Sequence, residues 1–154
     1  MARFSLLTGL RQGNVRDLAW PEVDLKGRKL WIRADQAKGG RAIAVPLSEA
    51  AVTVLKGQEG NHHSLVFTYR GEPIGQVGTR AWRGALERAG IKDFRWHDLR
   101  HTWASWHAQR GTPQAVLQEL GGWESAPMVR RYAHFSSEHL RSHVDAYSGE
   151  LQLH

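Results

Sequence analysis

The segment from residue 97 to residue 106 gathers cationic and imidazole side chains on one side of a predicted helix. At about 100° per residue, four of its side chains fall within an arc of about 100°. These four are His97, Arg100, His101 and Ala104. Those predicted to lie roughly opposite and to anchor the helix in the core are Leu99, Trp103 and Trp106. Cations beside a small alanine leave room for a ligand to approach closely, and the alternative is a solvated polar face on an amphipathic helix.

A zinc site is the competing interpretation of this segment. His97 and His101 stand four residues apart, as in the H-E-x-x-H motif on a helix. However, the shorter Asp98 replaces the general-base glutamate, and Arg100 would place a cation close to the metal. No third ligand follows at a recognisable spacing, although catalytic zinc is usually held by three protein ligands. The segment therefore favours a site without metal.

The composition narrows the class of protein. A chain of 154 residues has room for one domain, and its 41% hydrophobic and 23% charged content is ordinary for a soluble globular protein. Its apolar runs are too short to span a bilayer, its start lacks a signal-peptide pattern, and it has no cysteine for disulfides or thiolate metal sites. These features fit a cytoplasmic protein. The formal net charge of +6 favours a polyanionic partner such as DNA or RNA, although many basic proteins bind neither.

The first third of the chain predicts two helices followed by a small antiparallel sheet. A helix that begins almost at the first residue is indicated by Phe4, Leu6, Leu7 and Leu10. A second helix is predicted over 14–18, with Asn14 as its N-cap and Pro21 after its end. Alternating segments separated by glycine-containing turns then predict strands over 23–25, 30–33 and 42–45.

Beyond Pro46 the pattern is mostly helical, with one short strand expected within 63–69. The predicted helices cover residues 48–56, 78–89, 98–110, 113–121, 127–132 and 136–147. Ser48 is expected to cap the first of them. Gly90 and Gly111 are expected to close two others, and Gly121-Gly122 a third. The sequence therefore predicts one α+β domain, mainly helical, with a small antiparallel sheet near its N-terminus.

Residues 97–102 (His-Asp-Leu-Arg-His-Thr) closely resemble the H-x-x-R box of the tyrosine recombinases of the phage-integrase type. Four other segments resemble further boxes of that family, in the family's order. Residues 8–11 (Thr-Gly-Leu-Arg) resemble the first arginine box, and residues 37–47 resemble the β-hairpin lysine with its following Val-Pro-Leu. Residues 120–123 (Leu-Gly-Gly-Trp) resemble the Leu-Gly-His box, and residues 131–134 (Arg-Tyr-Ala-His) resemble the nucleophile box. The five boxes cover nearly the whole chain and imply the tyrosine-recombinase catalytic-domain fold.

The resemblance implies a covalent mechanism at Tyr132. This tyrosine would attack the scissile phosphate of DNA, form a 3′-phosphotyrosyl link and free a 5′ hydroxyl, so that the phosphodiester energy is conserved. Arg11 and Arg100 would bind the non-bridging oxygens, because guanidinium is always charged and can donate two parallel hydrogen bonds. Trp123, nine positions before Tyr132, would supply a further N–H donor.

The resemblance also implies two residues that transfer protons. Lys38, on the hairpin, would be the general acid for the leaving 5′ oxygen. His97 would assist proton transfer around Tyr132, since an imidazole titrates near neutral pH. With protein cations in these places the reaction needs no metal and no other cofactor. Taken singly, Tyr132, Lys38 and Trp123 also have structural alternatives as packing or turn residues, and Arg11 as an ion-pair partner of a nearby carboxylate; the ordered boxes favour the functional assignment.

The chain departs from the family pattern at three places. Asn14 stands where the first box usually has glutamate, and Leu-Gly-Gly-Trp is one residue longer than Leu-Gly-His. Complete members also carry an N-terminal helical domain that clamps the DNA. We therefore expect residues 1–154 to form a single catalytic domain that is N-terminally truncated and lacks the clamp.

Residues 134–141 resemble a C-terminal helix that members dock onto a neighbouring protomer, and the alternative is a helix folded onto its own domain.

The implied function is site-specific recombination that integrates or excises a phage, prophage or other mobile element. The implied partners are double-stranded DNA with attachment-type sites and, for a full-length enzyme, further copies in a homo-tetramer on DNA, in the cytoplasm and without a membrane. One alternative is a non-catalytic DNA-binding remnant or a modulator of a full-length recombinase. Another is a type IB topoisomerase, which the last two boxes resemble less. Arg80, Arg83 and Arg95 are weaker candidates for phosphate contact, with a solvated face as their alternative.

Overall fold

The structure is a computed structural model, and it describes residues 1–36, 40, 42–132, 141 and 144–145. The chain divides into two compact units, Met1–Trp103 and Ala104–His154. Within the described residues the chain is α+β and mainly helical, with short antiparallel strands, as the sequence predicts. No helix in this described part is long and apolar enough to cross a membrane.

The first unit opens with two short helices joined at a glycine. Helix α1 (Ala2–Thr8) buries Phe4, which packs against Phe67 with ring centroids 5.4 Å apart. Gly9 ends α1 in the left-handed conformation (φ 63°), and its N–H donates to the Ser5 carbonyl at 2.9 Å. This conformation favours glycine, because a side chain there meets the backbone carbonyl. The chain therefore turns sharply at Gly9 before the next helix begins.

Helix α2 (Gln12–Arg16) begins earlier than the sequence predicts. Arg11, in extended backbone, is its N-cap, so the prediction that Asn14 caps the helix is wrong. Asn14 is instead buried in the middle of α2. Pro21 does not lie at the helix end but in a 3₁₀ turn (Trp20–Glu22), where its fixed φ suits the first turn.

A three-stranded antiparallel sheet follows, as predicted. Its order is β1 (Val23–Asp24), β2 (Lys29–Ile32) and β3 (Ile43–Pro46). Leu30 of the central strand pairs with Val45, and the alternation of exposed and buried side chains along β2 places one face in the core. This core joins the sheet to α1 and to helix α3 (Glu49–Lys56). Ser48 caps α3 as predicted, since its Oγ accepts from the Ala51 N–H at 3.2 Å.

The strand expected within 63–69 exists, but it has a partner that the sequence did not reveal. Strand β4 (Thr68–Tyr69) pairs with β5 (Glu72–Pro73) as a two-stranded antiparallel sheet. Proline cannot donate a ladder hydrogen bond and so disfavours a strand in sequence-based analysis, although it is tolerated at an edge. The hairpin turns at Gly71, which has φ 80°.

Helices α4 (Arg80–Arg88) and α5 (Asp98–Gln109) match their predicted positions, and Gly90 and Gly111 follow them with positive φ. Leu99 and Trp103 of α5 are buried, as the helical pattern predicts. The prediction that Trp106 anchors the same helix in the core is wrong, because its side chain is 44% exposed.

The second unit contains α6 (Gln114–Gly121) and α7 (Ala126–Arg130), which pack against each other. The Gln114 side chain donates to the Ala126 carbonyl at 3.0 Å, and each helix buries one large apolar residue, Leu117 in α6 and Val129 in α7. Helix α7 ends at Arg130, two residues before the predicted end, so Tyr132 lies in the turn that follows it. The helix predicted over 136–147 lies outside the described residues, apart from positions 141, 144 and 145.

Candidate active site

Arg100 of α5 is buried, with 6% of its surface exposed. Its Nη1 donates to the carbonyl oxygen of Gly9 at 2.6 Å, across 91 positions of the chain. A hydrogen bond from a charged donor is stronger and shorter than one between neutral groups. This bond joins the H-x-x-R segment to the Thr-Gly-Leu-Arg turn, and the alternative of a solvated polar face is wrong for Arg100.

The turn that carries Arg11 is fixed on both sides of Gly9. Before it, the Thr8 hydroxyl donates to the Phe4 carbonyl at 2.8 Å and accepts from the Leu10 N–H at 3.5 Å. At Gly9 itself, a Cβ would overlap the six-membered ring of Trp103. Arg11 follows two residues later as the half-buried N-cap of α2. The carbonyl that holds Arg100 therefore belongs to the same short turn that presents Arg11.

His97 lies at the residue before α5 and remains partly exposed. Its ring meets that of His101 edge to face, with centroids 4.7 Å apart. Partial burial, and then the charges of His101 and Arg100, hold the pKa of His97 below its ordinary value. The neutral imidazole, which can accept a proton, is therefore the favoured form near neutral pH.

The carboxylate of Asp98, at the start of α5, interacts with Arg95. It accepts from the Arg95 backbone N–H at 2.7 Å, and the Arg95 guanidinium lies 3.4 Å away. These contacts, led by the backbone hydrogen bond, lower the pKa of Asp98. In the part of the chain that the structure describes, no three His, Asp or Glu side chains are grouped so that they could hold a metal ion.

Two of the three weaker phosphate candidates lie near His97. Arg83 and Arg95 line the same open cavity as His97 and Gln12, with a volume of about 950 Å³. Its wall includes an aromatic cluster in which the Trp82 ring lies 4.7 Å from Trp96 and 6.3 Å from Phe94. Arg80 lines a separate, mostly apolar cavity, and it shares a third cavity along α4 with Arg83. Of the three arginines, Arg83 and Arg95 therefore line the cavity that includes His97, and Arg80 does not.

In the second unit, Trp123 and Tyr132 are in contact. Gly122 ends α6 in the left-handed conformation (φ 60°), and the next N–H, that of Trp123, donates to the Gln118 carbonyl at 3.1 Å. The indole then lies across Gly121, where a Cβ would overlap it. The same indole meets the ring of Tyr132, with centroids 5.6 Å apart and planes tilted by 49°. Tyr132 is 8% exposed, and its backbone N–H donates to the Val129 carbonyl at 2.9 Å.

The extra glycine of the Leu-Gly-Gly-Trp segment thus has a physical explanation. Gly121 leaves the space in which the indole lies, whereas Gly122 supplies the positive φ that turns the chain back over the helix. Gly122 closes α6 as the sequence predicts, whereas the space that Gly121 leaves for the indole was not predicted, and its one signal is the Gly-Gly pair directly before a large ring. Gly9 and Trp103 were likewise missed as partners, because their contact joins distant parts of the chain.

Not every predicted site residue can be placed. The structure brings Arg100 to the turn of Arg11 and sets His97 at the start of the same helix as Arg100. Lys38 lies outside the described residues, in the connection between β2 and β3, and its role stays a prediction.

Known proteins resemble this chain in both sequence and fold. The integrase of Salmonella phage P22 is 49% identical over 157 residues, covering 94% of this chain and 41% of the relative. The catalytic domain of bacteriophage HP1 integrase has a TM-score of 0.66 at 28% identity, over 94% of this chain and 78% of that one. The Tn1549 transposon integrase, solved in complex with transposon right end DNA, has a TM-score of 0.71 at 20% identity, over 96% of this chain and 57% of that one.

The fold is that of the catalytic domains of tyrosine recombinases. The profile of the phage integrase family matches residues 1–139, and the chain belongs to that family. The chain covers 41% of the P22 integrase, which is less than half the length of that relative.

Proposed function

We propose that this chain cleaves and rejoins DNA by site-specific recombination, through a covalent bond between Tyr132 and a 3′ phosphate. The observation that carries the proposal is the 2.6 Å hydrogen bond from Arg100 to Gly9, which unites the two arginine boxes of a phage integrase family member. The relative from phage P22 is an integrase, and the Tn1549 integrase binds transposon end DNA. Both support a DNA substrate for this chain.

The reaction is a transesterification at phosphorus. The phenolic oxygen of Tyr132 forms a bond to the phosphorus, and the bond from phosphorus to the 5′ oxygen breaks. The phenolic proton passes to a base, and the departing 5′ oxygen takes a proton from an acid, for which we propose Lys38. Rejoining is the same step in reverse, with a 5′ hydroxyl as the nucleophile. The number of phosphate ester bonds is unchanged, so no nucleotide hydrolysis is required.

Arg11 and Arg100 stabilise the negative charge that develops on the non-bridging oxygens. Donors held in place before the reaction need no reorganisation when the charge forms, and loss of one such donor typically costs about 100- to 1000-fold in rate. The burial of Arg100 and its bond to the Gly9 carbonyl provide this fixed orientation. Arg11 is proposed to act beside it, because Arg11 belongs to the same short turn as the Gly9 carbonyl to which Arg100 is bonded.

His97 and Trp123 have supporting roles in this proposal. The lowered pKa of His97, caused first by burial, keeps its imidazole neutral and able to accept a proton near neutral pH. Trp123 donates its indole N–H to the phosphate or orients the Tyr132 ring, with which it is in contact. The reaction as proposed requires no metal and no other cofactor.

The proposed substrate is duplex DNA with attachment-type sites, in the cytoplasm of a bacterial host. Arg83 and Arg95, which line the cavity beside His97, are proposed to contact DNA phosphates, and Arg80 stays a weaker candidate. We also propose that, in a full-length enzyme, four copies assemble on DNA for recombination. We propose, too, that residues 1–154 form a single catalytic domain.

Covalent trapping tests the proposal. A pool of nicked duplexes is used in which cleavage releases a short strand, so that rejoining is prevented. The wild-type chain should give a protease-sensitive protein–DNA adduct on a denaturing gel, and Tyr132→Phe should give none. Tyr69→Phe is the matched control, because Tyr69 is 66% exposed and lies in the β4–β5 hairpin. Salt-sensitive binding of the pool without any adduct would contradict strand transfer and favour a non-catalytic DNA-binding protein.

A further inference from the structure

We propose that Trp103 is a positioning residue for the arginine pair, acting through Gly9. This inference rests on the proposed function, because it assigns to Trp103 the placement of Arg11 and Arg100 against the scissile phosphate. Trp103 contacts the turn that carries one arginine and belongs to the helix that carries the other. The sequence pattern alone assigns this residue to the core.

Two side chains of α5 both contact Gly9. Arg100 donates to the Gly9 carbonyl at 2.6 Å, and the Trp103 ring occupies the space where a Cβ of residue 9 would stand. These side chains are three positions apart, and residues at this spacing lie side by side on a helix. Gly9 is therefore in contact with one helix through both its carbonyl oxygen and its Cα.

The indole sets how closely the turn can approach α5. Trp103 is 5% exposed, so a smaller side chain would leave space inside the protein rather than at its surface. The turn could then shift toward the helix, and the Gly9 carbonyl would move relative to the Arg100 guanidinium. Arg11 begins α2 two residues later and would move with the turn. A displacement of about 1 Å at a catalytic group can cost about 100-fold in rate.

The test compares two substrates within each protein variant. One nicked duplex carries a normal scissile phosphate, and the other carries a methylphosphonate in which an uncharged methyl group replaces one non-bridging oxygen. Both stereoisomers of the methylphosphonate are measured. Correctly placed arginines favour the charged phosphate, so the ratio of the two adduct rates reports their placement. Because each ratio is measured on one protein sample, the fraction of folded protein cancels from it.

Trp103→Leu should lower the ratio of phosphate rate to methylphosphonate rate by about tenfold or more, as expected for misplaced charge-stabilising groups. Trp103→Phe should keep most of the wild-type ratio, because it retains an aromatic ring against Gly9. Trp106→Leu is the matched control on the same helix and should leave the ratio unchanged, since Trp106 is 44% exposed whereas Trp103 is 5% exposed.

A uniform loss would overturn the inference. If Trp103→Leu slows both substrates by the same factor, the indole supports only the stability of the fold. Should Trp103→Leu not fold, Gly9→Ala disturbs the same contact from the other side, and an unchanged ratio in that variant would have the same meaning. Absence of any wild-type adduct would instead refute the proposed function, so the two failures are distinguishable.

Discussion

Replacement of Gly9 by alanine tests most directly how the turn that carries Arg11 packs against Trp103. Gly9 has a φ of 63°, and left-handed backbone costs a non-glycine residue about 1–2 kcal/mol. The added methyl group would also overlap the Trp103 ring, and overpacking of a core typically costs about 1–3 kcal/mol. The two contributions together predict that Gly9→Ala lowers the free energy of unfolding by about 2–5 kcal/mol. This is a large share of the ~5–15 kcal/mol that stabilises a typical domain.

Gly13→Ala is the matched control for this prediction. Gly13 lies inside α2, and apart from the neighbouring residues and the backbone of the helix itself no described atom is within 4 Å of the position where its Cβ would be. Alanine there should raise the free energy of unfolding by about 0.5–1 kcal/mol, because it restricts the unfolded chain and favours the helix. Urea unfolding followed by tryptophan fluorescence measures both variants. A change of less than about 1 kcal/mol for Gly9→Ala, or a change of the same sign in both variants, would refute the packing argument.

Three further predictions concern the site itself. Gly121→Ala should displace the Trp123 indole from its place over α6 and from Tyr132, and should lower the rate of adduct formation by about tenfold or more, whereas an unchanged rate would show that this contact is dispensable. Because the pKa of His97 is lowered, adduct formation should decline in acidic solution, where the imidazole gains its proton, with a midpoint below the ordinary pKa of a histidine. His97→Gln should abolish this acidic decline, and a wild-type decline centred above neutral pH would contradict the assignment. Arg83→Gln and Arg95→Gln should each reduce the salt dependence of DNA binding by about one unit of slope, as measured by fluorescence anisotropy, and Arg80→Gln, outside the cavity of His97, should reduce it less; equal effects of all three would contradict a DNA contact centred on that cavity.

Local signals in the sequence predicted much of the fold. The Ser48 cap of α3 and the alternation along β2 depend on neighbours in the chain, and both were found as expected. The Asn14 cap was wrong because tertiary packing buries this residue, although asparagine is a favoured cap in isolation. Trp106 was misplaced because a helical wheel gives the angle of a side chain but not the length of helix that the core covers.

The candidate site was predictable in its residue types and not in its packing. Arg11, His97 and Arg100 were identified from the resemblance of their boxes to those of a known family. The hydrogen bond that unites two of these boxes crosses 91 positions, and the contact of Gly9 with Trp103 joins similarly distant parts of the chain. Contacts of this kind follow from the packing of whole helices, and no periodicity within a short window reveals them.

The central claim is that Tyr132 becomes covalently bonded to DNA, and peptide mass spectrometry tests it most directly. Trypsin cleaves after Arg131 and Arg141, which releases a ten-residue peptide in which Tyr132 is the one tyrosine. After trapping on a nicked duplex and nuclease trimming, this peptide should gain the mass of a 3′-linked nucleotide, and fragmentation should place the added mass on the tyrosine. A DNA adduct on any other peptide, or on a serine of this one, would contradict the account.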